Sequence, residues 1–371
     1  MRIVIAPDKF KGSLPAIEVA AAIAAGLSGT GAELVTIPVA DGGDGTVDAA
    51  VAAGYQRVPV RATGPTGQPV STSYARRDEL ALVELATVCG LERLPGGRLA
   101  PMEASSFGVG EVLRAALDAG ARQLVLAVGG SASTDGGAGL LQGLGARVLD
   151  GDGRPLGRGG AALAGVAGFD PAGLPAALRQ AGVTLAADVA NPLTGPDGAA
   201  AIFGPQKGAT PDQVAELDAG LRRWAKVVAE ATGTDCAQAP GAGAAGGVGF
   251  AALAVLGAQR RPGIDMILEL VGFDAALAGA DLVITGEGSL DRQSLSGKAP
   301  VGVARAARRC GVPVVAVAGR NQLTREDAVR AGITAIHALS DLEPDLDRSM
   351  AGAAALLERI AHDQLTDWSR I

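Results

Sequence analysis

Five stretches of this chain combine glycine and hydroxyl side chains with Asp, Glu or Lys, a mixture suited to holding a polyanion and its counter-ion. The first is Ala6-Pro7-Asp8-Lys9-Phe10-Lys11-Gly12-Ser13-Leu14. It leaves an apolar run and enters a helical stretch. Amides at a helix start, with Lys9 and Lys11, suit a phosphate or carboxylate. The alternative is that Ser13 caps the helix and the lysines are solvated. In the second, Ala40-Asp41-Gly42-Gly43-Asp44-Gly45-Thr46, two carboxylates stand three residues apart. They suit Mg²⁺ held through water, or substrate hydroxyls, or simply an Asx-capped turn. The third, Gly129-Gly130-Ser131-Ala132-Ser133-Thr134-Asp135-Gly136-Gly137-Ala138-Gly139, allows close backbone approach and an anion nest, with Asp135 as a base or metal holder.

The fourth starts at Asp188, at a strand end where a general base belongs. It runs through Asn191-Pro192-Leu193-Thr194-Gly195 to Phe203-Gly204-Pro205-Gln206-Lys207-Gly208. Thr210, with Pro211 and Gln213, reads instead as an N-cap with a capping box. The fifth, Thr285-Gly286-Glu287-Gly288-Ser289-Leu290-Asp291-Arg292-Gln293-Ser294-Leu295-Ser296-Gly297-Lys298, joins two carboxylates, a guanidinium and an ammonium in one loop after a strand, which fits metal and phosphate handling. Of 32 basic residues only five are lysine, and Lys9, Lys11, Lys207 and Lys298 fall inside these loops. A retained lysine points to a need for a compact point charge, as at phosphates.

The elements that must position these loops alternate in kind. Apolar, β-branched runs at 2–6, 33–39, 123–128, 183–187, 281–285 and 313–318 do not alternate with polar residues, so they read as strands buried on both faces. Most lead through a Gly-rich loop into a helix, the grammar of a parallel α/β sheet, whose ligands bind at the carboxyl ends of strands. Residues 57–62, 68–75 and 80–85 are separated by turn signals and read as antiparallel or mixed strands entering a second, inserted domain. Residues 150–175, rich in Gly and Pro, read as loop.

Composition excludes several classes. The net charge of −7, with no basic stripe, argues against nucleic acid and membrane surfaces as partners. Three cysteines without metal spacing fit a reduced, cytoplasmic chain. No apolar stretch reaches the roughly 18 residues of a membrane span, and residues 3–6 are too short for a signal peptide. With two histidines, both near the end of the chain, a Ser-His-Asp triad or a His-rich metal site is not expected. There is no Walker A pattern. Gly241-Ala242-Gly243-Ala244-Ala245-Gly246 matches a dinucleotide fingerprint, but Ala239-Pro240 precedes it where a strand should be. That run reads as close helix packing or a mobile loop.

Taken in order, these pieces resemble the bacterial glycerate kinase family, the type I glycerate kinases. The resemblance rests on Ala6-Pro7-Asp8 with Phe10-Lys11-Gly12-Ser13-Leu14, on Ala40-Asp41-Gly42-Gly43, and on Gly129-Gly130-Ser131-Ala132 with Asp135-Gly136-Gly137-Ala138-Gly139. It continues through Asn191-Pro192-Leu193-Thr194-Gly195, Phe203-Gly204-Pro205-Gln206-Lys207-Gly208-Ala209, Gly243-Ala244-Ala245-Gly246-Gly247, and Thr285-Gly286-Glu287-Gly288 with Asp291 and Gly297-Lys298. Lys9, Val109, Thr134 and Ser289 depart from residues common in the family, which touches substrate contacts and not the reaction class.

The resemblance implies two α/β lobes: a flavodoxin-like doubly wound parallel sheet (1–64 with 262–371) and an inserted mixed-sheet domain (65–261), with the site in the cleft between them. It implies ATP and Mg²⁺ as cosubstrates, D-glycerate as acceptor and 2-phosphoglycerate as product, with a related hydroxy acid or the 3-hydroxyl as alternatives. On that basis Asp188, Asp8, Lys11 and Asp291 are expected to be catalytic, with Asp188 as base and Asp291 or Asp135 as alternatives. Ser13, Asp41, Asp44, Asn191 and Lys9 are expected at the substrate. Gly129, Gly130, Ser131, Ser133, Asp135, Gly136, Lys207, Glu287 and Lys298 are expected at ATP, and Asp135, Glu287 and Asp291 at the metal. The rival from another class, a binding protein for small anionic metabolites, gives no use to so many carboxylates beside an anion site.

Overall fold

In β1 (Arg2–Pro7), Ile3 and Ile5 point to one face and Val4 and Ala6 to the other, and all four are fully buried. A strand apolar on both faces must be sandwiched between helices. Ile3 and Ile5 pack with Val19 and Ile23 of helix Ala16–Gly26 and with Leu357 and Ile360 of helix Ala353–Gln364. Val4 and Ala6 pack with Ile264 and Leu268 of helix Gly263–Leu270 and Val303 of helix Ala299–Arg309. Each buried Ile, Leu or Val side chain contributes about 1.5–3 kcal/mol. Gly26 lets two helices touch, since a Cβ there would lie 2.2 Å from the Glu358 carbonyl oxygen.

A computed structural model describes residues 1–292 and 294–366; Gln293 of the fifth loop lies outside them. The remaining strands are β2 (Glu33–Thr36), β3 (Gln56–Thr63), β4 (Pro69–Arg77), β5 (Leu80–Glu84), β6 (Gln123–Ala127), β7 (Arg147–Asp150), β8 (Val166–Asp170), β9 (Gly182–Ala186), β10 (Gln259–Arg261), β11 (Leu282–Leu290), β12 (Val314–Asn321) and β13 (Ala335–Ala338). The chain divides into two compact units, one of Met1–Asp41, Asp48–Gly54 and Pro262–Ile371, the other of Gly42–Val47 and Tyr55–Arg261.

The first unit holds a five-stranded, all-parallel sheet in the order β13-β12-β11-β1-β2. Counted within the unit this is 2-1-3-4-5, the flavodoxin-like order, whose switch point lies between its first and third strands, here β1 and β11.

The second unit holds a six-stranded mixed sheet, β10-β9-β6-β5-β4-β3. β10, β9, β6 and β5 run parallel, and the β3–β4–β5 meander is antiparallel, as its turn signals imply. Helices Phe107–Asp118 and Ala138–Leu144 cover it and approach closely, because a Cβ on Gly110 would lie 2.0 Å from the Leu140 oxygen.

The expectation of plain loop over 150–175 is corrected. β8 lies there and pairs antiparallel with β7. Its Phe169 packs edge-on against Trp224 of helix Pro211–Thr232, with ring centroids 5.4 Å apart. A five-residue strand interrupted by Gly168 carries little local signal, and a tertiary contact supplies what its sequence lacks. The capping box at Thr210 is present as expected.

Candidate functional site

In the first unit the β1 loop and β11 meet at the switch point. Pro7 pairs with Gly286, and the amide of Asp8 donates to the Gly286 carbonyl at 2.8 Å. Asp8 is therefore set at the carboxyl end of β1 beside Glu287. It is only 6% exposed. Its Oδ1 accepts from the Lys9 amide at 2.6 Å. Burial pushes the Asp8 carboxyl up to about 8; Lys9 opposes the shift, and Asp41 and Glu287 add to it. After β2 the chain stays against β1, the Val39 amide donating to the Pro7 oxygen, and so brings Asp41 into the group.

Glu287 is buried too, and burial raises its pKa, with the Ser294 hydroxyl and Lys298 opposing and Asp41 and Asp291 adding. Ser294 ties the loop together. Its hydroxyl donates to Glu287 Oε1, its amide donates to Asp291 Oδ1 at 3.1 Å, and its Oγ accepts from the Asp291 amide. Sequence reading gave Ser294 no role, because a serine among several in a polar loop has no signature of its own.

The other residues expected in this group behave differently. Ser13 does not cap the helix: Pro15 stands at its N-cap, and the Ser13 hydroxyl donates to the Met350 carbonyl at 2.6 Å. Lys11 is exposed, and a Cβ on Gly288 would lie 3.2 Å from the Lys11 nitrogen, so the loop lies directly on the end of β11. Lys298 stands half-buried at the start of helix Ala299–Arg309.

In the second unit the carboxyl ends of β5, β6 and β9 lie side by side. β5 ends in Glu84, which is 1% exposed and accepts from the amides of Gly45 at 3.1 Å and Val47 at 2.8 Å. That carboxylate staples the loop bearing Asp44 to the sheet. The same loop touches the end of β6: Gly129 donates to the Gly42 oxygen, and a Cβ on Gly129 would lie 2.4 Å from the Gly43 Cα. Glu84 was missed in the sequence because it ends an apolar run whose pattern marks only a strand. Asp188, two residues past β9, is exposed. Asn191 is half-buried, its side-chain amide donating to the carbonyl oxygen of exposed Asp197 at 2.9 Å.

Most of the glycine-rich loop turns inward as well. Gly129 is half-buried and Gly130 exposed, while residues 131–140 are all buried. The amides of Ala132, Ser133, Gly136, Gly137 and Ala138 bond within the protein, to Cys89 O, Ser131 Oγ, Gly246 O, Asp135 Oδ1 and Asp135 O. Asp135, 1% exposed, also accepts from the Ser106 amide and hydroxyl and the Ser105 hydroxyl, and burial raises its pKa. Lys207 is 2% exposed and donates to the Ser133 carbonyl. The Gly241–Gly249 run packs against this loop. A Cβ on Gly246 would lie 2.0 Å from the Ser133 oxygen, and Ala245, at φ 51°, opens a left-handed turn with Gly246 and Gly247.

Mg²⁺ usually takes one or two protein carboxylates and completes its shell with water and phosphate oxygens. Glu287 and Asp291, joined through Ser294, fit that demand; Asp135, with its oxygens committed inside the protein, does not. Among the described residues no group of three or more His, Cys, Asp or Glu is arranged as a protein-only cage. No described helix is long and apolar enough to cross a membrane.

A family model described as the glycerate kinase family matches residues 3–369. A glycerate kinase of Bacillus subtilis is 43% identical over 98% of this chain and 96% of its own length. A glycerate 2-kinase of Escherichia coli is 42% identical over 95% and 94%. A crystal structure from Salmonella typhimurium LT2, described as a candidate glycerate kinase 2, superposes with a TM-score of 0.84 at 40% identity over all of both chains.

Proposed function

The chain belongs to the glycerate kinase family and is an ATP-dependent kinase of glycerate; we propose that it makes 2-phosphoglycerate. The observation that carries this assignment of residues is Asp8, buried at the end of β1 beside Glu287 and the Ser294-linked Asp291, at the position where a flavodoxin-like sheet takes its ligand.

A carboxyl held up at about 8 is neutral at pH 7. A neutral Asp8 can donate a hydrogen bond to the glycerate carboxylate without charge repulsion. Lys9 and Lys11 add positive charge to the same loop, and Asp41 and Asp44 suit the substrate hydroxyls. Asp188, exposed at the end of β9, is assigned as the base that takes the proton of the 2-hydroxyl, with Asp291 as the alternative. Gly129 and Gly130 offer the exposed tip of the glycine-rich loop to the triphosphate, and Lys298 offsets its charge. Glu287 and Asp291 would hold Mg²⁺, which when bound would supply charge neutralisation for the phosphate oxygens. The three unpaired cysteines agree with a cytoplasmic location.

The test is a coupled ADP-release assay over D-glycerate and related hydroxy acids, with the product hydroxyl assigned by ³¹P–¹H correlation. ADP formed with D-glycerate and a phosphorus coupled to the C2 proton is the expected result. Absence of acceptor-dependent ADP, or phosphate on C3, overturns the assignment.

A further inference from the structure

Lys207 stands in the short turn Pro205–Lys207 of the second unit, where residue type and spacing alone suggest a phosphate ligand. Its geometry says otherwise. The side chain is 2% exposed, and its ammonium is committed to the Ser133 carbonyl, with Thr134 Oγ1 at 3.5 Å. Both partners belong to the buried part of the glycine-rich loop.

From the other side of the same segment, Asp135 reaches the start of helix Phe107–Asp118 through Ser106 and the Ser105 hydroxyl, and folds back on the Gly137 amide. A buried charge without compensation costs several kcal/mol. Here an ammonium and a carboxyl group grip adjacent residues of one loop, and Asp135 is among the groups favouring the charged form of Lys207. Burial still brings Lys207 down to about 8, so it remains mostly charged at neutral pH.

We propose that Lys207 is a positioning residue: with Asp135 it braces residues 133–135, so that Gly129 and Gly130 are held in the shape that receives the triphosphate of ATP. This rests on the kinase reading above.

The fold supplies a reporter for the brace. Cys89 is fully buried beneath the loop; its thiol donates to the Ser105 carbonyl, its carbonyl accepts from Ala132, and burial pushes the thiol up to about 12. A Cys236→Ser/Cys310→Ser background removes the other thiols, neither of which belongs to the site.

In that background, Cys89 labelling by an aromatic disulfide reagent and the KM for ATP are measured for Lys207 and for Lys207→Met. The expected result is labelling at least about tenfold faster, as local opening becomes easier, together with a KM for ATP raised about tenfold and a smaller change in kcat. Unchanged labelling with ATP affinity lost makes Lys207 a direct phosphate ligand and overturns the proposal. Faster labelling with an unchanged KM also overturns it, since the brace would then be merely structural. Should Lys207→Met fail to fold, Lys207→Gln, which keeps a donor without the charge, is read in the same way. Failure of the parent protein to release ADP with any acceptor would sink the kinase reading instead, and the labelling comparison would still report on the brace.

Discussion

Glu84 offers the sharpest check on how the fold builds the site. Its carboxylate is 1% exposed and accepts two backbone donors, Gly45 at 3.1 Å and Val47 at 2.8 Å, from a loop 37 to 39 residues away in sequence. Glu84→Gln is nearly isosteric but keeps only one accepting oxygen. Its new NH₂ group would face a backbone N–H that it cannot satisfy. A hydrogen bond to a charged group contributes about 1.5–3 kcal/mol, and a buried orphan donor costs about 1–3 kcal/mol. A net loss of about 2–4 kcal/mol is expected, or a melting temperature about 5–15 °C lower for a unit of this size. The same loop carries Asp44 and contacts Gly129. Loosening it should raise the KM for glycerate about tenfold while kcat falls less. Glu84→Asp, one methylene short of the two amides, should behave similarly. Thermal melts and steady-state kinetics on the same preparations provide the assay. A variant melting within about 2 °C of the parent refutes the energetic argument. A large loss of stability with unchanged KM refutes the link from staple to substrate.

Three further predictions concern single groups. Asp188→Asn should lower kcat by about 10²–10⁴ with the fold intact by circular dichroism; near-normal turnover would remove Asp188 from the base role. Glycerate binding, measured by calorimetry without nucleotide or metal, should weaken about tenfold between pH 7 and pH 9 as Asp8 ionises near 8, and Asp8→Asn should flatten that profile. The linked effect on stability has a definite sign. The raised folded pKa of Asp8 makes its contribution fully present below 3.8 and lost progressively up to about 8, so Asp8→Asn should gain on the parent as pH rises across that window. Ala245→Gly should stabilise the protein by up to about 1 kcal/mol, because Ala at φ 51° carries left-handed strain that glycine lacks, partly offset by glycine's greater unfolded-state entropy. The denaturant midpoint at constant slope reads it.

The parallel strands were legible because β1, β6, β9 and the leading parts of β11 and β12 are rich in buried aliphatic residues on both faces, a pattern that a solvent-facing strand does not show; β11 runs on to Leu290, so Glu287 to Ser289 of the expected loop are strand. The turn chemistry between β3, β4 and β5 was equally plain. β8 was not, since its strand character comes from Phe169 meeting Trp224, a partner 55 residues away. The loops that carry chemistry could be found from their composition. The direction of each side chain within them could not. Asp44 and Asp188 lie at or near the surface while Asp135 is sealed in, although all three follow strands in glycine-rich surroundings. The deciding contacts come from Ser105, Ser106 and Glu84, which belong to other elements.

The lysines show where such reasoning holds and where it changes meaning. Their scarcity beside arginine does mark positions that need a compact ammonium, but the need differs from site to site. At Lys298 and Lys9 the charge acts beside the carboxylates of Glu287 and Asp8. At Lys207 compactness serves burial: a four-carbon stem with a point charge can end on the Ser133 carbonyl in a 2%-exposed position. A planar guanidinium there would need more donors satisfied than two neighbouring oxygens provide. Lys207→Arg should therefore be tolerated poorly despite keeping its charge. A buried brace and a phosphate ligand place different demands on the same residue type: the brace requires shape as well as charge, whereas a ligand facing solvent would accept arginine with little loss.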